Sequence, residues 1–415
     1  MSTLSRRTWL KATFAALTAA GVPTSRAGTS DPETMRTRLI EDFVGWDAIE
    51  NHRTGSDGDD ATARWLLEGL RRAGVDGRLD GFEFDRRLPG DCYVGTDEVR
   101  VPGEPLFDAP GTSGAGIAGV LSESAEPGGI LLTSFEPFGG HPDTQALERA
   151  RRDSACAGIV AVAGGKTVKP GLALLNADSY ANPFGPPVLQ VATEHADALR
   201  ALARSRRRVT VQAPLTHTAE AVYNVEGRIP GRRPELPPLV IMTPRSAWWT
   251  CTAERGGGIS TWLEAARALV RSAPERDVLF TANTGHELGH VGLQYFLTSR
   301  PELMEGAHAW VHLGANFAAA GGKVIYQASD ADLLEAGLAA MARGGVGAPQ
   351  TMPVGDRPLG EAREIFDAGG RFVSLLGSNP LFHHPDDRWP DAVDLDKTER
   401  LSQAMLDVIS GLAGA

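Results

Sequence analysis

The sequence predicts an α/β protein built on a mixed, largely parallel twisted sheet flanked by helices. Three observations lead there. From about residue 217 to the C-terminus, short apolar strands alternate with helical stretches at lengths that suit a parallel sheet covered on both faces. Just past the apolar strand Val278–Ala282 the chain turns at Gly285 and gathers His286, Glu287 and His290, and open α/β sheets put their chemistry at such strand ends. The chain has 415 residues and 42% apolar content, enough to bury one large core or two moderate ones.

Taken in order, the chain opens with Ser5-Arg6-Arg7-Thr8-Trp9-Leu10-Lys11, a modestly apolar run over Ala12–Val22, and Ser25-Arg26-Ala27, a small-x-small cleavage pattern. Paired Arg with Leu and Lys in register predict a twin-arginine export signal over residues 1–27, and hence a periplasmic or extracellular protein. The apolar run is too short to span a bilayer. Cleavage would remove Arg6, Arg7, Lys11 and Arg26 and no acid from a chain of formal net charge -11. That acidity repels nucleic acid and anionic lipid, so the expected partner is a peptide or small-molecule substrate, with no nucleic acid and no membrane insertion after cleavage. Oligomeric state is not legible.

Within residues 28–90, Pro32–Arg72 reads as two helical stretches, the second being Asp60–Gly74 with Ala61, Trp65, Leu66 and Leu70 at helical spacing. Glycines and aspartates thicken after residue 90, which marks a boundary. Residues 91–216 form a separate module. Within it come strand Ile130–Thr133, helix Asp143–Asp153, strands Ala157–Val162 and Pro187–Val191, helix Thr193–Ser205 and strand Arg208–Gln212. Residues 217–415 carry strands Leu239–Met242, Val278–Ala282, Ala309–Leu313 and Phe372–Leu376, separated by helices beginning near Ile259, His290, Ala331 and Arg363. Gly256-Gly257-Gly258 reads as a turn. Cys92, Cys156 and Cys251 are far apart with no Cys-x-x-Cys unit, so a cysteine zinc or redox site is excluded and buried small hydrophobes are expected.

His286-Glu287-Leu288-Gly289-His290 and, near the C-terminus, Phe382-His383-His384-Pro385-Asp386-Asp387 suggest a metal site. The first also spells His-Glu-x-x-His, the zincin pattern of two ligands on one helix face. Gly289 and Gly292 would each cost such a helix about 1 kcal/mol. Three protein ligands and one open position make a catalytic zinc site. Glu287 and His383 supply two ligands, with the third drawn from His286, His290 or Glu254. Glu254 reads equally as a solvated acid paired with Arg255. Trp248 and Trp249 either line a pocket or plug the space of a metal, and Asp386 and Asp387 either orient His383 or cap the helix before Leu395. Ser246 lacks a Gly-x-Ser-x-Gly elbow, which disfavours a serine hydrolase.

Nearly all of the chain after residue 27 resembles the M28 family of zinc aminopeptidases and carboxypeptidases, in the form that carries an inserted protease-associated domain. His52–Phe84 is similar to the family's opening. Ala157-Gly158-Ile159-Val160 and Pro187-Val188-Leu189-Gln190-Val191 resemble two strands of the insert, and Tyr223-Asn224-Val225 resembles the re-entry into the peptidase sheet. The resemblance implies a zinc-exopeptidase-like fold in which residues 28–90 and 217–415 form the peptidase-like domain and residues 91–216 the insert. It also implies a metal set. Glu287 falls on the family's zinc-binding Glu, since His286-Glu287-Leu288-Gly289 resembles Glu-Glu-x-Gly, and His383 falls on its final His. Glu254 falls on the bridging Asp and His286 on the general-base Glu. The first His and its neighbouring Asp are replaced by Thr243-Pro244-Arg245-Ser246, and the second Asp by Gly314. A two-zinc site cannot be assembled from these residues. The expectation is an exported metallopeptidase or related amide hydrolase holding one zinc through Glu287, His383, Glu254 and His290, with His286 as base. Its alternative is an inactive relative that binds a peptide or small ligand.

Overall fold

The computed structural model describes residues 34–153 and 155–415. The expected export signal, Met1–Ala27, lies outside the described residues. Among the described residues no helix is long and apolar enough to cross a membrane.

An eight-stranded mixed sheet organises the chain, in the order Asp76–Pro89, Leu215–Ile229, Val278–Asn283, Leu239–Pro244, Ala309–Leu313, Phe372–Gly377, Val324–Ala328, Gln350–Thr351. The central strands Val278–Asn283, Leu239–Pro244, Ala309–Leu313 and Phe372–Gly377 run parallel. Side chains alternate between the two faces of each strand. Ile241, Phe280, Val311 and Leu375 share one core with Trp262, Leu263 and Met405. Val240, Met242, Trp310 and Phe372 share another with Leu293, Phe296 and Ile365. Helices therefore cover both faces, as the continuous apolar strands predict.

The long strands Asp76–Pro89 and Leu215–Ile229 pair antiparallel along their whole length, from Asp76 opposite Arg228 to Pro89 opposite Leu215. The chain leaves the first sheet along one and returns along the other. Between them, residues 93–212 build a second eight-stranded mixed sheet, centred on Ile117–Ser122, Ile130–Phe135, Gly158–Ala163 and Val188–Val191. The polar alternation of the ribbon strands hides their length from a reading tuned to apolar runs. Cys92, Cys156 and Cys251 are all free and buried.

The helix Asp57–Arg72 starts ahead of the expected Asp60 because the Ser56 hydroxyl accepts from Asp59 N at 3.1 Å and closes its first turn. A larger departure concerns Gly256-Gly257-Gly258. These glycines are not a turn; they lie inside the helix Thr252–Ser272, which begins before the expected Ile259. Close approach explains them. A Cβ at Gly256 would lie 2.6 Å from the Phe43 ring, at Gly257 2.7 Å from Ala318 Cβ, and at Gly258 2.6 Å from the Leu313 carbonyl oxygen. Helix propensity is sacrificed, at about 1 kcal/mol per glycine, so that the helix N-terminus can press against the strand ends.

Leu239–Pro244 is the first of the parallel strands in the chain; the next, Val278–Asn283, pairs on one side of it and Ala309–Leu313 on the other. Strand order reverses there, and the reversal opens a crevice beyond the carboxyl ends. Arg245 and Ser246, His286 and Glu287, Asn316 and His383 all follow the ends of this sheet's strands.

Gly258→Ala is expected to lower stability by about 1–3 kcal/mol through overpacking, although alanine is the better helix former. Thermal unfolding checks this; a variant as stable as the wild type would contradict the role of close approach.

Candidate functional site

Three of the sequence-predicted residues reach the crevice, each from a different element. Glu254 lies in the first turn of the helix Thr252–Ser272, Glu287 in the single 3-10 turn His286–Leu288, and His383 in the loop after Phe372–Gly377. His290 sits on the far side of that turn. Gly285 and Gly289 both adopt φ of 73°, and His290 itself 57°, so the α-helix begins only at Val291. The His-Glu-x-x-His run is therefore not on one helix face, and the zincin arrangement does not form.

Between the two carboxylates lies Arg255. Its Nη2 is 2.5 Å from Glu287 Oε1 and 2.9 Å from Glu254 Oε1, and its Nε donates to the Ser246 carbonyl at 2.7 Å. Ser246 Oγ donates to the other Glu287 oxygen at 2.6 Å and accepts from His286 N at 3.0 Å. His383 Nε2 lies 3.4 Å from Glu254 Oε1, while its Nδ1 bonds the Leu174 carbonyl at 2.6 Å. Glu254 and Arg255 are fully buried, so the reading of a solvated surface pair is corrected. The reason is the glycine-bearing helix, which carries both residues down onto the sheet. Burial opposes ionisation of Glu254, yet Arg255 and then His383 hold its carboxyl down at about 2. Arg255 is raised against the same burial by Glu254 and Glu287.

Neighbouring residues support this cluster. Asp387 accepts from Ala253 N at 2.7 Å and Glu254 N at 3.0 Å, capping the helix Thr252–Ser272. The cap of the helix Leu395–Ala413 is Asp394, not Asp386 or Asp387. Asp386 pairs instead with exposed Lys169 at 2.6 Å. Arg245 points away from the crevice to buried Asp59, at 2.7 Å. Trp248 stacks on Phe107 with ring centroids 5.2 Å apart, and Trp249 Nε1 donates to the His383 carbonyl at 3.0 Å.

Zinc binds carboxylate oxygen at about 2.0–2.2 Å and imidazole nitrogen at about 2.0–2.1 Å, and needs free lone pairs directed at one point. Here that point holds a guanidinium nitrogen. A second cation beside it, away from water, would meet strong repulsion. As the side chains stand, Glu254, Glu287 and His383 do not fit a resident zinc ion. Among the described residues, Cys251, Glu254 and Asp387 have ligand atoms within 4.8 Å of one another. Asp387 is committed to backbone donors, however, and burial raises the Cys251 thiol well above its usual range.

A second polar cluster lines the adjoining cleft, whose volume is about 560 Å³. The His286 and His290 rings stack 4.6 Å apart. His286 Nδ1 lies 3.1 Å from Glu361 Oε1 and His290 Nδ1 lies 2.8 Å from Glu364 Oε1. His312, buried behind them, bonds Ser374 Oγ through Nδ1 at 2.8 Å. Burial, then the charges of Arg255, His290, His312 and Arg363, lower His286 well below the usual imidazole range. Burial and then His290 lower His312 to about 3. Burial pushes Glu361 up to about 7, and Glu364 adds to that. Sequence reasoning missed Glu361, Arg363 and Glu364, which lie on or beside the short helix Ala362–Asp367. Their spacing carries no signal until that helix is placed over the strand ends.

Because the folded Glu361 holds its proton up to about 7 against an ordinary value of 4.5, the native state binds more protons than the unfolded chain across that interval. Its contribution is therefore present below pH 4.5 and lost as pH rises towards 7. Glu361→Gln removes this loss. Its stability relative to wild type should climb through that window at up to about 1.4 kcal/mol per pH unit. Denaturant titrations at several pH values check this, and parallel pH curves would contradict it.

No family model matches the chain, and no curated protein matches it. Solved structures do. BSAP, a zinc aminopeptidase from Bacillus subtilis, is 14% identical with a TM-score of 0.73, the match covering 92% of this chain and 95% of that one. A peptidase M28 precursor from Shewanella amazonensis gives 14% identity, a TM-score of 0.70, and coverage of 91% and 95%. An aminopeptidase from Aneurinibacillus sp. strain AM-1 gives 13%, 0.67, and coverage of 91% and 94%. At these identities the likeness is one of fold: the chain has the mixed α/β fold of M28-type zinc aminopeptidases.

Proposed function

We propose that this protein is an exported, M28-like protein that binds a peptide or small peptide-like ligand in the cleft beside His286 and His290 and does not hydrolyse it through a metal. The observation that carries this reading is the buried Arg255 guanidinium between Glu254 and Glu287. Of the expected ligands, Glu254 and Glu287 are spent on it. Arg255, fully buried, is also out of reach of a substrate carbonyl. His286 has the wrong strength for a base, since an imidazole lowered well below its usual range takes up a proton poorly near neutrality.

The cleft itself suits a ligand. Its volume lies within the roughly 300–1,000 Å³ of small-molecule sites. Stacked Phe138 and Phe382, 4.9 Å between centroids, and Leu376 offer apolar walls, while His286, His290, Asn316 and Arg363 offer polar anchors. Asn176 and Ser179 also line it, so residues 91–216, proposed as a protease-associated insert, form part of the wall. Export rests on the twin-arginine pattern of residues 1–27.

Elemental analysis of the purified mature protein, with a panel of amino acids and short peptides in thermal-shift and hydrolysis assays, tests the reading. The expectation is substoichiometric zinc, no turnover, and stabilisation approaching about 2.7 kcal/mol at a hundredfold excess over Kd for a bound peptide. Phe382→Ala and Arg363→Ala should weaken that binding about tenfold. Stoichiometric zinc with peptide hydrolysis would overturn the proposal.

A further inference from the structure

Acids and bases are unequally committed along the cleft beside His286 and His290. Of the acids on its wall, Asp108 is held by buried Arg151 at 2.8 Å and Glu148 by the same guanidinium at 2.6 Å. Glu361 and Glu364 stand behind the two histidines, each with its second oxygen buried and out of reach of solvent. Arg363 is placed differently. Its Nε donates to Glu364 Oε1 at 3.2 Å, which fixes the guanidinium plane, while Nη2 reaches Asp178 Oδ1 at 3.3 Å and His290 Nε2 at 3.5 Å. Among the described residues Arg363 Nη1 meets no hydrogen-bond partner, and unlike Arg255 Nη1 it is not sealed from solvent, so it opens on the cleft. Asp178 comes from the insert and is 58% exposed, against 24% for Arg363. Arg152 adds a second, more exposed guanidinium to the same cleft.

Granting that this cleft binds a ligand, we infer that Arg363 reads the ligand's free carboxylate, which takes the place of Asp178 on the guanidinium, and that the ligand is a short peptide or acylated amino acid held by its carboxyl end. The Asp178 contact shows that a carboxylate reaches this guanidinium from the cleft side. It is a weak contact. Charge-assisted N–H···O bonds run to about 2.7–2.9 Å and Arg–carboxylate pairs are frequently bidentate, whereas Asp178 offers one oxygen at 3.3 Å to one nitrogen. A ligand carboxylate can engage Nη1 and Nη2 together. Displacing Asp178 costs little, since an exposed carboxylate gains little from its pair and returns to water. Arg363 is the better desolvated of the two, so a two-pronged contact is worth more there. A ligand ammonium has a poorer choice, because Asp108 and Glu148 are spent on Arg151 and Asp178 is mostly solvated. In the same cleft Leu359, at 52% exposure, Leu376 and the Phe138–Phe382 stack offer apolar surface to the residue that carries the carboxylate.

Titration calorimetry on the full chain with N-acetylphenylalanine, N-acetylphenylalanine amide and phenylalanine amide tests this, using wild type, Arg363→Gln and Asp178→Asn. Wild type should bind N-acetylphenylalanine about ten- to hundredfold more tightly than its amide, the range expected of a hydrogen bond between charged groups. Arg363→Gln should reduce that preference to below about threefold and leave the affinity for the amide unchanged. Asp178→Asn frees the guanidinium and should tighten N-acetylphenylalanine by about two- to fivefold, a gain that damage to the fold would not produce. Equal binding of acid and amide by wild type, a preference that survives in Arg363→Gln, or a preference for phenylalanine amide that Asp178→Asn abolishes would overturn the inference and leave ligand binding in the cleft standing. Should Arg363→Gln fail to fold, Asp178→Asn decides: tighter binding of the acid supports the inference, and unchanged or weaker binding overturns it. If none of the three probes binds, the inference fails, and the ligand-binding reading fails with it only where no amino acid or short peptide binds either.

Discussion

Burying the Arg255 guanidinium beside Glu254 and Glu287 takes three charges out of water, and each has to be matched inside the protein. The match is partial, since the buried Arg255 Nη1 and His383 Nε2 have no hydrogen-bond partner. Arg255 meets both carboxylates and the Ser246 carbonyl, Glu287 meets Ser246 Oγ, and the Asp387 cap supports the backbone that carries Glu254. Breaking such a buried set by deleting one partner typically costs about 3–5 kcal/mol, because the charge left behind has no solvent. The cluster therefore ties the N-terminus of the helix Thr252–Ser272 to the turn after Val278–Asn283. The strand ends are held together by a fixed internal cation.

That constraint explains the features around it. The glycines at 256–258 let the helix come close enough to the strand ends for its first turn to deliver Glu254 and Arg255. Left-handed Gly285 and Gly289 confine His286–Leu288 to one tight turn, which directs Glu287 to Arg255 and leaves His286 and His290 on the cleft side. Two polar clusters result, and they differ in electrostatic character. Around Arg255, Glu254 is held in its ionised form. Around His286 and Glu361, burial drives both groups towards their neutral forms, which suits a polar wall that discriminates by hydrogen bonding more than by charge.

Much of the fold is legible in the sequence. The strands Leu239–Met242, Val278–Ala282, Ala309–Leu313 and Phe372–Leu376 are readable because they are apolar on both faces, and Glu287 and His383 stand out in the motifs that carry them, whereas Glu254 is reached only through the family resemblance. What stays hidden depends on tertiary contact. The glycine triplet looks like a turn until Phe43, Ala318 and Leu313 are placed against it. Arg255 looks like a surface partner until its helix is docked, and Glu361 and Glu364 reveal themselves only once their helix lies over His286 and His290. In each case local propensity is outweighed by a neighbour distant in sequence.

Which cation lies between Glu254 and Glu287 decides how this site is understood, and one diffraction experiment reads it directly. Crystals of the wild-type protein grown with zinc, measured on either side of the zinc absorption edge, should show guanidinium density between the two carboxylates and no anomalous peak there. An anomalous peak at that position, with Arg255 swung aside and His383 completing the ligand set, would contradict it.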